Sequence, residues 1–225
     1  EALMELWHGS TMIVRHPDLS FCRESNDYGR AFYMTEHLEL AREWACRCEE
    51  IDGVANRYEL DLEDLAVLDL DAGARSVLEW LSVLLTHRVV NLGSPVALEA
   101  AEWIRENYPV DLSGYDVICG YRADDSYFSF VRQFVSNSLS VEQLSWAMRL
   151  GGLGRQVALR TPRALESLEY VDFEPAPARS FYPRRKRRDL EARKAFSEGP
   201  GFDPEGIYVL DLISGRVGKD DERLR

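Results

Sequence analysis

Two short apolar segments near the start of the chain predict the first two strands. Residues 3–7 form an apolar run that ends at His8-Gly9-Ser10, which indicates a strand stopped by a glycine turn. Residues 29–35 predict a second strand, centred on Phe32-Tyr33-Met34. The residues between them are rich in Asp, Asn, Ser and Gly, which favour turns. We therefore expect a long loop that brings the two strand ends together.

Helical and strand-like spacings then alternate irregularly along the chain. Thr35 is a candidate N-cap for the first helix. Predicted helices span residues 36–50, 74–85, 95–107, 126–134 and 141–150, with a short helical turn at 162–168. Predicted strands span residues 58–62, 65–70, 115–120 and 156–160. This irregular mixture indicates an α+β domain rather than a doubly wound one. The indoles expected in the core are Trp44, Trp80, Trp103 and Trp146.

The composition changes after Phe173, where Glu-Pro-Ala-Pro-Ala-Arg has the character of a linker. A basic helix is predicted over residues 187–196. The apolar segment 206–214 fits either an amphipathic helix or a strand, because periodicity alone does not distinguish them. The sequence therefore predicts a main domain over residues 1–173 and an appendage over residues 174–225 that serves a partner or covers the domain.

Composition and charge exclude several classes of protein. No apolar run approaches the roughly 18 residues that a membrane helix needs, and the start lacks the features of a signal peptide, so we expect a cytoplasmic protein. Four cysteines in 225 residues are too few for a disulfide scaffold, and no zinc site or other metal site is expected. The net charge of −12 opposes general adhesion to nucleic acid, because such binding needs a basic face.

One segment departs from this acidic character. Residues 179–194 contain six arginines and two lysines against two acidic residues, with the dense run Arg184-Arg185-Lys186-Arg187-Arg188 at the centre. Such a run is either a solvated stretch that balances an acidic body or a docking site for an acidic protein partner or RNA. Binding of nucleic acid at this run therefore stays open.

Two motifs near the start carry the candidate chemistry, since the common nucleotide, metalloprotease and hydrolase signatures are missing. They are Leu6-Trp7-His8-Gly9-Ser10 and, about twenty residues later, Tyr28-Gly29-Arg30-Ala31-Phe32-Tyr33-Met34-Thr35. The pair resembles the first two motifs of the diphtheria-toxin-like branch of ADP-ribosyltransferases, which includes the poly(ADP-ribose) polymerases. Over residues 3–173 the chain looks like a bacterial ADP-ribosyltransferase-like family of unknown function, some members of which resemble toxins paired with an antitoxin.

The resemblance implies a split β-sheet core with flanking helices and a site that binds NAD as substrate. It implies that His8 hydrogen-bonds a ribose hydroxyl, that Gly9 lets the backbone approach nicotinamide, and that Ser10 supports the same side of the NAD site. Tyr33 is expected to stack on the nicotinamide ring. Further NAD-binding candidates are Tyr28 and, for the pyrophosphate, the loop residue Arg23.

The chain departs from the family pattern at the third catalytic element, which is typically a glutamate on a later strand. The matching strand here places Gln156 at its first inward position. A neutral amide can bind a ribose hydroxyl but supplies neither a negative charge nor a base. Asp124 and Asp125 follow the predicted strand at 115–120 and are candidates to compensate, although a pair of helix N-caps is the commoner role for such residues.

Three functions follow from these observations. The first is an NAD-consuming mono-ADP-ribosyltransferase or NAD glycohydrolase, with His8, Tyr33, Gln156 and Asp125 as catalytic candidates, acting as a toxin that a cognate antitoxin binds. The second is a catalytically weak or inactive module that binds NAD or ADP-ribose. The third is a structural interaction protein, which requires both motifs to be accidental.

Overall fold

The computed structural model describes residues 3–72, 75–123, 125–152 and 154–225. The strands are β1 (Leu3–Ser10), β2 (Phe32–Met34), β3 (Gly53–Asp61), β4 (Val67–Asp69), β5 (Val117–Tyr121), β6 (Arg155–Leu159) and β7 (Leu168–Ala176). The helices are α1 (Leu38–Ala45), α2 (Val77–His87), α3 (Pro95–Asn107), α4 (Asp125–Val135), α5 (Val141–Ala147), α6 (Pro162–Glu166), α7 (Ala178–Ser197) and α8 (Val209–Ile213). Short 3₁₀ turns occupy Leu19–Phe21, Leu150–Gly152 and Glu222–Leu224.

The strands form two sheets that meet near the start of the chain. One sheet has the antiparallel order β1-β3-β7, and the other has the order β2-β6-β5-β4, in which β4 and β5 are parallel. A bridge joins them, with N–H to O=C distances of 2.7 and 2.9 Å between Trp7 and Thr35. The predicted α+β class is confirmed.

The two larger hydrophobic clusters among the described residues hold these layers together. The larger lies among α2, α3, α4 and α5 and includes the fully buried indole of Trp80. The smaller fills the space between the sheets with side chains that alternate along β1, β2 and β3, such as Leu6, Phe32 and Tyr58. Because every second strand residue points to the same face, this alternation buries one face of each sheet.

Helix α1 lies directly on the backbone of β1 and β3. A Cβ at Gly9 would overlap the carbonyl oxygen of Ala41 and lie 2.8 Å from the amide nitrogen of Ala45. A Cβ at Gly53 would lie 2.5 Å from the Cβ of Ala45. Both glycines are therefore needed for close packing of a helix on strands, which is one of the standard uses of a residue without a side chain.

The residues after 173 are packed on the rest of the molecule. The boundary expected after Phe173 falls inside β7, whose pairing with β3 continues to Ala176. Helix α7 begins at Ala178, nine residues earlier than the basic helix expected at 187–196. The ring of Phe196 stacks on that of Phe130 at 4.3 Å between centroids.

The final residues also contribute to the larger hydrophobic cluster, through Ile207, Val209, Leu212 and Leu224. Segment 206–214, for which the sequence left helix and strand open, contains α8. The apolar side chains of the C-terminal segment therefore share a core with the preceding residues.

Element bounds differ from the sequence-based expectation mainly where tertiary contacts intervene. The helix expected at 36–50 is confined to α1 and begins after His37, because Thr35 is used in the bridge between the sheets. The predicted start at Ala74 lies outside the described residues, and α2 begins after a capping box at Ser76. Among the described residues, no helix combines the length and the apolar character needed to cross a membrane.

Candidate functional site

A cavity of about 650 Å³ opens where the two sheets meet α7. We call the set His8, Asp27, Tyr33 and Gln156 the cavity floor; these residues come from β1, the loop before β2, β2 and β6. We call the set Tyr182, Arg185, Lys186, Asp189 and Leu190 the α7 wall. The structure thus brings three of the predicted catalytic candidates to one cavity: His8, Tyr33 and Gln156.

His8 is held in a defined orientation on the cavity floor. Its Nδ1 lies 2.7 Å from the backbone oxygen of Tyr33, and its ring packs on Phe32 at 4.2 Å between centroids. Desolvation lowers the pKa of His8 below its usual value, against the opposing effect of the bond to Tyr33. A neutral ring that donates from Nδ1 to a carbonyl has Nε2 as an acceptor. His8 can therefore accept a hydrogen bond from a ligand hydroxyl.

Tyr33 is fixed through its hydroxyl. The Oη atom donates to the backbone oxygen of Gly29 at 2.8 Å and accepts from the backbone N–H of Tyr28 at 2.9 Å. Burial raises the pKa of this phenol, so it remains protonated at neutral pH. With both ends of the hydroxyl occupied, the ring is the part of Tyr33 that can contact a ligand, and a flat ring suits stacking.

Gln156 is committed to contacts inside the protein. Its Nε2 donates to Asp27 Oδ2 at 2.8 Å and to the backbone oxygen of Tyr121 at 3.1 Å. Both hydrogens of the amide are thereby used. The two amide hydrogens are therefore not available to a ligand in this arrangement, and the expected contact between Gln156 and a ribose hydroxyl stays a prediction.

Asp27 is a carboxylate on the cavity floor that the sequence did not single out. Its side chain is 4% exposed, and Oδ2 accepts from the N–H of Ala123 at 2.9 Å as well as from Gln156. Oδ1 lies 3.6 Å from Arg88 Nη1. Burial raises the pKa of Asp27, while the hydrogen bonds from Ala123 and Gln156 and the charges of Arg88 and Arg122 lower it. The only sequence signal was its place in Asp27-Tyr28-Gly29, where an aspartate ordinarily forms a turn.

Gly9, another predicted NAD-binding residue, also lines the cavity, whereas Tyr28, Ser10 and Arg23 do not. Tyr28 is fully buried, with its hydroxyl donating to the backbone oxygen of Tyr121 at 2.5 Å and accepting from Trp80 Nε1 at 3.1 Å, so its ring belongs to the core rather than to the cavity. Ser10 and the exposed Arg23 are not part of the cavity lining. Asp124 lies outside the described residues, as does the side chain of Asp125, the first residue of α4.

The cavity is strongly basic although the chain as a whole is acidic. Five cationic side chains line it: Arg47, Arg88, Arg122, Arg185 and Lys186. The described acidic residues of the lining are Asp27 and Asp189. The guanidinium of Arg122 lies over the ring of Trp44, 3.9 Å from its centroid, so this indole lines the cavity as well as packing against the larger hydrophobic cluster. A cluster of one sign in a cleft concentrates ligands of the opposite sign, so the cavity favours an anion.

The basic run at 184–188 is largely used within the molecule. Arg188 Nε and Nη2 donate to the carboxylate of the buried Glu43 at 2.8 and 2.9 Å, and Arg184 pairs with Glu39 at 2.7 Å. Arg185 donates to the backbone oxygen of Cys46 at 3.1 Å. These contacts fasten α7 to α1 and turn Arg185 and Lys186 toward the cavity lining.

No group of three or more His, Cys, Asp and Glu side chains that could hold a metal ion occurs among the described residues. The basic lining makes the cavity a candidate site for an anionic small molecule. Its volume falls within the range of roughly 300–1,000 Å³ that small-molecule sites occupy.

Comparison with known proteins gives a family but no activity. No curated protein matches the chain. No solved structure matches it either. A family model described as "Protein of unknown function (DUF3990)" matches residues 4–170, a range that includes the entire cavity floor. Since the match covers more than half of the chain, the protein belongs to the DUF3990 family.

Proposed function

We propose that the protein binds NAD in this cavity and cleaves its bond between nicotinamide and ribose, as a mono-ADP-ribosyltransferase or an NAD glycohydrolase. One observation supports the proposal above all: His8 and Tyr33 both lie on the cavity floor, and the basic residues of the α7 wall line the same cavity. Each residue suits a different part of one ligand: a ring for stacking, an acceptor for a hydroxyl, and cations for a pyrophosphate.

On this proposal, the contacts of each residue indicate which part of NAD it binds. The ring of Tyr33, fixed through its hydroxyl, stacks on nicotinamide, and Nε2 of His8 accepts from a ribose hydroxyl. Arg185 and Lys186 lie where they can neutralise a pyrophosphate. Cleavage passes through an oxocarbenium-like state, so holding ring and ribose in register while limiting water is the main task of the protein. On this proposal the two sheets correspond to the split core of an ADP-ribosyltransferase.

A second candidate is a module that binds NAD or ADP-ribose without turning it over. The neutral amide of Gln156 favours it, because this side chain stands where the resemblance places a glutamate and its donors are used internally. Such a protein needs the same cavity floor for binding but releases no nicotinamide.

Calorimetry and a nicotinamide-release assay separate these outcomes. We expect NAD and nicotinamide to bind to the wild type, and His8→Ala and Tyr33→Ala each to weaken NAD binding at least tenfold, about 1.4 kcal/mol. The matched control is His16→Ala, at an exposed histidine of the loop before β2. If NAD fails to bind at millimolar concentration, or if the two variants bind like the wild type, the proposal is wrong. Binding without release of nicotinamide selects the non-catalytic module.

A toxin role with a cognate antitoxin stays a prediction for this chain. Its test is growth arrest on expression that depends on His8 and Tyr33 and is relieved by the protein encoded next to this gene. Growth arrest that persists in His8→Ala would argue for toxicity by another route.

A further inference from the structure

We propose that Asp27 supplies the negative charge that the glutamine at 156 cannot, and that Gln156 is a positioning residue for that carboxylate. The inference rests on the proposed function, since it names the acid for the same reaction. The supporting observation is that the buried carboxylate of Asp27 lies on the cavity floor. Its Oδ2 is fixed by two hydrogen bonds, whereas its Oδ1 has no hydrogen bond from the described residues.

The two oxygens of Asp27 have different surroundings. Oδ2 accepts from two donors, the N–H of Ala123 and Nε2 of Gln156, which fix the plane of the group. Oδ1 lies 3.6 Å from the guanidinium of Arg88, which is longer than a hydrogen bond, and it has no hydrogen-bond donor among the described residues. A buried polar atom without a hydrogen bond is uncommon in native proteins and needs an explanation, such as a ligand group that donates to it. We assign that group to a hydroxyl of the substrate or of the nucleophile, which reaches the buried Oδ1 once the side chains that cover this atom move aside.

The other described acid of the lining does not have this freedom. Asp189 accepts from Arg193 Nε at 2.8 Å and from the hydroxyl of Ser126. These bonds lower the pKa of Asp189 despite its partial burial. Asp189 is therefore already satisfied, whereas Oδ1 of Asp27 is a buried acceptor without a hydrogen bond from the described residues.

The reaction can be written with Asp27 in two successive roles. The bond between C1′ of the ribose and N1 of nicotinamide breaks, and its electron pair leaves with the nicotinamide nitrogen. The positive charge that develops at C1′ and the ring oxygen is stabilised by the carboxylate. Water, or a hydroxyl of an acceptor, then attacks C1′, and its proton passes to Oδ1 of Asp27 and from there to solvent. The products are nicotinamide and ADP-ribose, free or attached to the acceptor.

The same contacts suit Asp27 to hold and release a proton. Burial raises the pKa of Asp27, whereas the donors on Oδ2 and the charges of Arg88 and Arg122 lower it. A carboxylate whose pKa is raised in this way is a better base than one exposed to water. Gln156 acts through Asp27 and not on the substrate.

The test compares NAD binding with nicotinamide release. We expect Asp27→Asn to leave the affinity for NAD within about threefold, and to lower the rate of nicotinamide release at saturating NAD by about 10²–10³, the usual effect of removing one electrostatic stabiliser. The control is Glu24→Gln, which removes an exposed acid of the same loop. We expect the control to behave like the wild type.

An exchange variant tests Asp27 and Gln156 as a pair. In Asp27→Asn with Gln156→Glu, the amide and the carboxylate trade places, so an amide can again donate to a carboxylate between positions 27 and 156, at the expense of the contacts with the N–H of Ala123 and the backbone oxygen of Tyr121. We expect this double variant to recover at least tenfold of the release rate lost in Asp27→Asn, because it restores a carboxylate to the cavity floor. It also keeps the test valid should Asp27→Asn alone fold poorly.

The outcomes separate this inference from the proposed function. Wild-type release of nicotinamide that persists in Asp27→Asn overturns the inference and leaves the enzyme. If Asp125→Asn abolishes release while Asp27→Asn does not, the acid is Asp125 and the inference is again overturned. A wild type that binds NAD without releasing nicotinamide overturns the inference and the enzymatic proposal together.

Discussion

The cavity floor and the α7 wall face the same cavity but are stabilised in different ways. Hydrogen bonds fix the functional groups of the floor: Tyr33 through its hydroxyl, His8 through Nδ1, and Asp27 through Oδ2. In the α7 wall, Lys186 is exposed and Leu190 is 64% exposed, and the positions of both depend on how α7 is fastened to α1. The comparison suggests that the floor determines what binds and the wall determines how strongly an anion is attracted.

The largest expected effect concerns the attachment of the α7 wall. Arg188→Met leaves the carboxylate of Glu43, which is 4% exposed, without its partner. Breaking one side of a buried pair is costly, and because Arg188 itself is partly exposed we expect a loss of about 3 kcal/mol, the low end of that range. Urea unfolding measures this loss. Glu43→Gln combined with Arg188→Met removes the stranded charge, so the double variant should recover part of the stability; no recovery would show that the pair is not the cause.

A smaller loss of folding stability is expected when the hydroxyl of Tyr33 is removed. Tyr33→Phe leaves the buried N–H of Tyr28 without its acceptor, which costs about 1–3 kcal/mol of folding free energy. The ring is retained, so NAD affinity should change less than threefold. Denaturant unfolding and calorimetry are the two measurements. A large loss of affinity at unchanged stability would show that the hydroxyl, and not the ring, contacts the ligand.

The pH dependence of NAD binding tests the protonation state of His8. Because desolvation lowers the pKa of His8, its ring is neutral at pH 7, and protonation of Nε2 removes the acceptor. NAD affinity should stay constant above about pH 6.5 and fall as the pH drops through the lowered pKa, by roughly tenfold. The contribution of His8 to folding stability is also lost as the pH falls, because the unfolded chain binds the proton more readily than the folded one.

The control for this pH dependence is His8→Asn, which keeps a polar side chain without a titration in this range. Calorimetry between pH 5 and 8 should show a weaker but nearly pH-independent affinity for this variant. A wild-type affinity that rises as the pH falls would mean that the ligand prefers a charged ring, and would contradict the role assigned to Nε2.

The smallest expected effect lies in the α7 wall. Lys186→Met should weaken NAD binding about two- to fivefold at low salt, since a solvent-exposed charge contributes roughly 0.2–1 kcal/mol. The difference should shrink at high salt because screening weakens exposed charges. Lys194→Met, on the same helix but outside the cavity lining, is the matched control. Equal losses in both variants would indicate a diffuse effect of net charge.

Elements with local start and stop signals were predictable from sequence. Helix α3 has the predicted bounds because Ser94 caps it, accepting from the N–H of Ala97 at 3.2 Å before a proline start. Strand β7 was missed, since it lies at the edge of its sheet with most residues exposed, so it lacks a clear alternation of polar and apolar positions. Its Pro175 suggested a linker, although proline is tolerated in edge strands.

Site residues with a local sequence signal could likewise be predicted, whereas those that depend on distant contacts could not. His8 and Tyr33 belong to short motifs, so the sequence could nominate them together, and the structure brings them to one cavity. Asp27 could not be separated from an ordinary turn residue, because its role depends on a hydrogen bond to Gln156, 129 residues away. The α7 wall depends equally on distant pairs, such as Arg188 with Glu43, 145 residues apart.

The packing of α1 on Gly9 affects how related sequences are to be interpreted. Any side chain at this position would collide with the backbone of α1, so the glycine is required by the architecture whether or not a ligand binds. A descendant that had lost its activity would keep Gly9 for as long as it kept the helix, while His8 would be free to drift. In a search for active relatives, the glycine of His-Gly-Ser therefore reports the packing of α1 on β1, and the histidine beside it carries the information about the proposed chemistry.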